Sequence, residues 1–320
     1  MKLHRPFSLS AGLAWGWLAL LLLLGLVGPW LPLPYGPATP DLTQLAAPPG
    51  WQGIAPHYLG TDPLGRDVLA GLVAGARRLL VLSLPAAVLA TVAGALLGGA
   101  AGYWSRTGLR LPLAAILLPV AALLVALRLP WWLVLAAAAG LAAAASRQHW
   151  QLALPLDSLV LSVTALLGAV PRLVLVVALA AGPTLSSTGL LGLLALLAWP
   201  DTARLVRAHM LRVRSAPFVE AAQALGLPAL RVWWRHALPA ACQSLRAQAP
   251  LTLAALIGLE NTLTFLGTAT SDNAVSWGEL LGMLRQDPAA WWLLLGPGAA
   301  LAATLLALQW LAHHPDDQVF

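Results

Sequence analysis

The chain has 320 residues, 59% of them hydrophobic and 9% charged, with a mean hydropathy of +0.79. Roughly a quarter of the residues of an ordinary soluble domain are charged, so a soluble globular protein is excluded and an integral membrane protein is indicated. The net charge of +6 reads as the arginine of cytoplasmic loops and not as a nucleic-acid surface. Cys242 is the single cysteine and Lys2 the single lysine, which excludes an intrachain disulfide, a cysteine-built metal centre and a G-x-x-x-x-G-K-[ST] phosphate loop. If nucleotide drives this protein, another chain binds it.

Helices are the default element, because lipid cannot satisfy an open strand edge. An apolar run at 13–33 follows a basic start and approaches the ~20 residues of a bilayer-spanning helix. No small-x-small cleavage site comes after it, so it reads as a retained anchor, cytoplasmic end first, and not as a signal peptide. Residues 34–75 are rich in proline and glycine, too hydrophilic to span, and are placed outside. Further apolar blocks lie near 79–102, 111–127, 130–145, 159–181, 189–199, 249–267 and 291–312. With the first they make about eight candidate spans. The pair 111–145 is also readable as a re-entrant hairpin, and 189–199 is expected to borrow length from the helix after it. With the N-terminus inside, twelve basic residues fall in cytoplasmic segments against five outside, namely Arg66, Arg77, Arg78, Arg128 and Arg285. That bias predicts an N-in, C-in topology.

Between 201 and 246 the chain becomes basic and amphipathic, centred on "FVEAAQALGLPALRVWWRHALPAA" at 218–241. Ser215 is a candidate cap for a helix whose first turn tolerates Pro217. Gly226 and Pro228 end that helix and start a second, which Pro239 is expected to close. Phe218, Ala221, Ala222 and Leu225 form one helical stripe; Leu230, Trp233, Trp234 and Ala237 form another. From periodicity alone, a helix pair lying along the headgroups is an equal reading.

The wording of the segment goes further. Glu220, Ala221, Ala222, Gly226, His236, Leu238 and Pro239 spell E-A-A-x-x-x-G, nine residues, then H-x-L-P. This resembles the coupling loop of the membrane subunits of binding-protein-dependent ABC importers, the type I permease family. "HYLGTDPLGRDVLAGLVAGARRLL" at 57–80, "ENTLTFLG" at 260–267 and "SWGELL" at 276–281 are similar to segments of its dipeptide, oligopeptide and nickel branch, in the same order along the chain. Within that branch the chain looks like the second of two permease subunits.

The resemblance implies an all-α integral membrane protein: a six-span core plus an inserted hydrophobic hairpin, N-in and C-in, in a bacterial inner membrane. It implies an anchor and external segment at 1–78, a permease domain at 79–312 with an insert at about 105–155 and a cytoplasmic coupling loop at about 201–246, and a cytoplasmic tail at 313–320. The chain is then a transport subunit that is not itself an enzyme and has no cofactor. Glu220, Ala221, Ala222, Gly226, His236, Leu238 and Pro239 engage the ATPase. The implied partners are a homologous permease in a heterodimer, one or two cytoplasmic ABC ATPases, an extracytoplasmic solute-binding protein and membrane lipid, with no nucleic acid. The solutes implied are peptides, nickel or similar small molecules.

Departures from the family pattern matter here. The insert at 105–155 preserves the topology only if it crosses the membrane an even number of times or not at all. Arg172 stands where relatives carry a small or apolar residue, and a charge inside the membrane costs upward of ~2.5 kcal/mol on insertion scales. Counting rise along each helix puts Arg172 and Glu260 at similar depth, so a pair beside the translocation path is expected, with Thr264 nearby. The alternative has Arg172 facing a water-filled vestibule and Glu260 bonded to Thr262 or Thr264. The loop 268–278 lacks the prolines usual in relatives. His57 and Asp67 read as parts of a structural segment and not as an external metal site.

Two other function classes fit the sequence less well. An ion-gradient-driven carrier would use Arg172 and Glu260 as substrate or proton sites, but has no use for a rigid cytoplasmic helix pair. An intramembrane enzyme finds no support: H-E-x-x-H and G-x-S-x-G are absent and the histidines are scattered.

Overall fold

A computed structural model of the chain describes residues 9–50, 57–105, 109–112, 151–172, 174, 178, 186–267 and 275–314. Its contacts divide the chain into two units, one of residues 1–95, 166–203 and 242–320, the other of residues 96–165 and 204–241.

The chain is helical in the main. Helix α1 (Leu9–Val27) is apolar throughout and ends in a single 3-10 turn at Gly28–Trp30, where Pro29 cannot continue the helical bonding. The described residues of the 31–67 segment, 31–50 and 57–67, are irregular and pinned by two isolated bridges, Pro40 to Arg66 and Thr61 to Asp67. Helix α2 (Val68–Arg78) passes through a π-helical turn, Leu79–Ser83, into α3 (Leu84–Tyr103). The span expected at 79–102 is therefore the later part of one 36-residue helix, Val68–Tyr103.

Helix α4 (Leu156–Ala169) comes after the insert, and α5 (Ser187–Val213) runs unbroken past Pro200, so the short block at 189–199 does take its length from the residues C-terminal to it. After the coupling segment come α9 (Leu245–Phe265), α10 (Trp277–Met283) and α11 (Trp292–His313). Among the described residues four helices are long and apolar enough to cross a membrane: Ser10–Trp30, Val68–Tyr103, Ser187–Val213 and Trp292–His313. Helix α9 is as long, but Arg246, Gln248, Glu260 and Asn261 make it more polar.

One departure from helix was not foreseen. Strand β1 (Leu109–Pro112) pairs antiparallel with β2 (Gln151–Leu154), with Leu109 opposite Leu154 and Pro112 opposite Gln151. A four-residue ladder whose partner lies far along the chain leaves no period to read in the sequence. The ribbon sets the two ends of the insert side by side. The apolar pair expected at 111–145 lies, beyond Pro112, outside the described residues.

Indole N–H groups lock the first unit together, because a buried tryptophan needs an acceptor. Trp17 donates to the Thr304 hydroxyl (3.1 Å), Trp277 to the Leu72 carbonyl (3.0 Å) and Trp292 to the Thr61 carbonyl (2.9 Å). Around them pack Leu21, Ala76 and Ala300 in one apolar cluster and Val68, Ala290 and Leu293 in another. Arg78, in the last turn of α2, is buried. Its Nε donates to Glu260 Oε1 at 2.6 Å, and both side chains are over nine-tenths buried.

Removing one member of a buried ion pair costs on the order of 3–5 kcal/mol, whereas replacing both by apolar groups is often neutral. Glu260→Ala is therefore expected to lower the thermal unfolding midpoint of the detergent-purified protein clearly, and Arg78→Met with Glu260→Leu to regain most of the loss. An unchanged midpoint in the single variant would contradict a structural role for the pair.

Candidate functional site

Residues 204–241, the greater part of the expected coupling loop, belong to the second unit. Helix α6 (Pro217–Ala224) has Pro217 at its first position, where the missing N–H costs nothing, and Ala216 as its cap in extended backbone (φ −77°, ψ 144°). The expected Ser215 cap is corrected: the Ser215 hydroxyl donates back to the Arg212 carbonyl (3.1 Å), closing the preceding helix. A proline pushes the residue before it into extended backbone, and that residue is Ala216. At the far end Gly226 has φ +76°; its N–H reaches the Gln223 carbonyl (2.9 Å) and that of Leu227 the Ala222 carbonyl (3.4 Å). These bonds form a Schellman ending, which needs a left-handed residue at Gly226. Nothing lies within 4 Å of where a Cβ would stand on Gly226, so backbone strain alone selects glycine there.

Pro228 caps the next helix in extended backbone (φ −61°, ψ 138°). Helix α7 (Ala229–Val232) widens into a π-helical turn, Trp233–Ala237, and continues as α8 (Leu238–Ala241). Pro239 therefore does not close the helix as expected. A proline ring collides with the carbonyl four residues back in a regular α-helix, and the wider turn just before it relieves that contact.

The expected stripes divide between two faces. Val219, Ala222, Val232, Trp233, Ala237 and Leu238 are buried, whereas Phe218 (49% exposed), Leu225 (82%), Leu230 (64%) and Trp234 (60%) are uncovered. Of the residues carried over from the motif, Ala222 and Leu238 face inward, His236 is half-buried, and Glu220, Ala221, Gly226 and Pro239 are exposed. Glu220 makes no ion pair among the described residues. Trp233 packs at 5.4 Å from Trp104, and the Gln223 amide donates to the Tyr103 hydroxyl (3.2 Å). Arg207 grips the Asp157 carboxylate with two nitrogens, one at 2.8 Å, and Arg214 donates to Ser105 and to the Gly102 carbonyl.

In the first unit the H-x-L-G-T-D-x-x-G-R-D stretch builds a clasp. Asp67 caps α2 through the Ala70 N–H (2.7 Å) and holds His57 Nδ1 at 2.8 Å; Tyr35 stacks on the imidazole. Thr43 donates its amide and hydroxyl to Asp41, which holds that carboxyl below the usual carboxylate range. Asp62 accepts from the Leu64 and Arg66 amides and from Arg66 Nε, while Arg66 Nη1 reaches Glu279 at 2.8 Å. Glu279 belongs to the S-W-G stretch, where Ser276 caps α10 and the Gly278 N–H donates to Asn261 Oδ1 (2.7 Å). His57 and Asp67 are thus bonded to each other at the start of α2.

The expected Arg172–Glu260 pair is corrected. Arg172 pairs with Asp201, both sides partly exposed, and Glu260 pairs with Arg78. Equal depth along two helices does not say which faces meet. Thr264 is buried, and its hydroxyl bonds the Glu260 and Asn261 carbonyls at 3.2 Å; neither it nor Thr262, which bonds the Gly258 carbonyl, reaches the Glu260 carboxylate.

Residues 136–317 match the model of the binding-protein-dependent transport system inner membrane component family. The chain belongs to that family. It is 30% identical over 287 residues to a protein named as a peptide permease of Brucella suis, covering 87% of this chain and 76% of that one. A protein named as a peptide transport system permease of Brucella abortus is 29% identical over 308 residues, 95% of this chain and 84% of that one. A di/tripeptide transport system permease of Pseudomonas aeruginosa is 29% identical over 310 residues, 95% and 86% of the two chains. The protein is therefore a multi-pass permease subunit of an ABC importer of the bacterial inner membrane, working with separate ATPase and solute-binding subunits. The ion-gradient-driven alternative falls with this assignment.

In this permease Gly278 is a point of close approach: a Cβ there would overlap the Asn261 carbonyl and the Thr264 hydroxyl. Overpacking costs ~1–3 kcal/mol, so Gly278→Ala should lower the unfolding midpoint of the purified subunit, whereas Gly192→Ala, with open space around it inside α5, should hold or slightly raise it, because alanine is the better helix former.

Proposed function

We propose that this chain is one half of a heterodimeric peptide permease and that its coupling segment is the lever on which a cytoplasmic ATPase acts. The names of its relatives support peptides as cargo. ATP hydrolysis belongs to the partner chains, and this subunit contributes half of the path and no catalytic step.

The observation that carries the reading is the doubly apolar coupling segment. One face is buried in its own unit through Val219, Val232, Trp233 and Ala237; the other presents Phe218, Leu225, Leu230 and Trp234 around the Gly226 turn. Burying one large apolar side chain contributes ~1.5–3 kcal/mol, so seating these four in a cleft of the ATPase holds lever and engine together through a transport cycle. Exposed Glu220, Arg231 and Arg235 set its register. The helices entering and leaving the segment, α5 and α9, then carry its displacement into the membrane-spanning core.

The topology proposed with this reading is N-in and C-in, with 1–78 as anchor and external segment, the loop at about 201–246 and the tail at 313–320 in the cytoplasm, and the permease domain at 79–312. The antiparallel ribbon of 109–112 with 151–154 supports an insert that starts and ends on one side of the membrane, as an even number of crossings requires.

Leu225→Glu and Trp234→Glu place charge in the proposed interface while leaving the inward face untouched. Each variant is expected to insert normally yet fail to retain the ATPase when the assembled importer is purified through a tag on this subunit. Full retention with wild-type hydrolysis would refute the docking role and favour a segment resting on headgroups. Gly226 provides a second check: a left-handed conformation costs an L-residue ~1–2 kcal/mol, with asparagine the best tolerated. Gly226→Val should abolish peptide-stimulated hydrolysis and Gly226→Asn should retain most of it; equal activity in both would mean that the turn is not strained by its role.

A further inference from the structure

The cavity of about 340 Å³ beside the start of α5 in the first unit is lined by Arg77, Arg78, Ser187 and Thr188 among apolar side chains that include Val81 and Leu191. Pro37 and Ala38, from the 31–67 segment, also line it, so the cavity opens at the end of the helices where that segment lies. Its volume falls within the ~300–1,000 Å³ of small-ligand sites, whose walls are mostly apolar with a few convergent polar groups.

The charge inventory of its wall is one-sided. Arg78 is engaged with Glu260, so that pair is close to neutral. Arg77, the residue before it, is exposed and makes no ion pair among the described residues. Among the described residues no aspartate or glutamate lines the cavity. Of the two guanidiniums on the wall, that of Arg77 is therefore the one without a carboxylate, and it stands at the mouth of an apolar-walled recess, where its field is screened less than on an open surface. A guanidinium in such a setting selects planar, two-oxygen anions, because its parallel N–H groups match a carboxylate in fork geometry. The Thr188 hydroxyl, which shares a hydrogen bond with Ser186 Oγ (3.0 Å), lies on the same wall.

We propose that this cavity is an anion subsite of the permease and that the group it takes is the C-terminal carboxylate of the peptide in transit. The identity of the anion rests on the peptide reading of the preceding subsection; the preference for an anion rests on the wall itself. Of the two termini a peptide carries at neutral pH, the ammonium is repelled by Arg77 and the carboxylate is held. In the topology proposed above the cavity lies on the side where cargo is delivered, so Arg77 acts when the peptide enters the path.

The test uses the complete reconstituted importer with its own binding protein, and compares ATP-dependent uptake of a dipeptide or tripeptide with uptake of its C-terminal amide. The binding protein is the same in every assay, so its own preference cancels when the acid-to-amide ratio of a variant is divided by that of the wild type. Arg77→Gln and Arg77→Met are both made; the side chain is exposed, and either variant that assembles reports. Loss of one charge-assisted contact corresponds to roughly a tenfold change, so uptake of the free acid at sub-saturating concentration should fall about tenfold, through a raised KM, with the amide little affected. An unchanged acid-to-amide ratio, whether both rates hold or both fall together, would overturn the subsite while leaving the peptide reading intact. A wild-type importer that takes up neither peptide with ATP would remove the peptide reading, and this inference with it.

Discussion

An arginine and a glutamate 182 residues apart in the chain meet at 2.6 Å inside the first unit, and much of that unit's polar order depends on their meeting. A charge placed in a low-dielectric interior must be matched, so Arg78 and Glu260 oblige α2 and α9 to present these two positions to each other. Asn261, the residue after Glu260, then faces Gly278 and receives its N–H; Glu279, the residue after Gly278, reaches Arg66; and Arg66 is held by Asp62. One continuous set of polar contacts thus joins α2, α9, α10 and the 31–67 segment. Tryptophan indoles on Leu72, Thr61 and Thr304 hold the same elements by a second route.

The clasp gives each letter of its motif a physical reason. Asp67 is needed as a helix cap and His57 as its neighbour; Asp62 holds two amides and a guanidinium at once, which asparagine could not match in charge. This is what the irregular backbone of 31–50 and 57–67 requires to hold one shape, and it positions α2, and with it Arg77 and Arg78, at the wall of the cavity.

The coupling segment meets a different requirement. A surface helix ordinarily has one apolar face turned inward; here a second set of large apolar side chains is turned outward. The inward set includes Trp233, which packs against Trp104, and the outward set stays uncovered. The positive φ at Gly226 sets the angle between the two helices, and neighbouring side chains leave that position open.

The sequence by itself determined the class of protein, the helical character, the short helix pair within 217–241 and its turn at Gly226, because composition, apolar run length and glycine-proline punctuation are local properties. The motif at 57–67 was legible as structural for the same reason: a short stretch carries its own caps and turns. Tertiary structure alone decided that Arg78 and not Arg172 meets Glu260 and that Asp201 takes Arg172, whereas the Ala216 cap follows from the local constraint that Pro217 places on the residue before it. It also decided which members of each apolar stripe face inward. These outcomes depend on which face of one helix meets which face of another, and on where a helix begins. Depth along a helix and spacing along a chain do not contain that information; packing does.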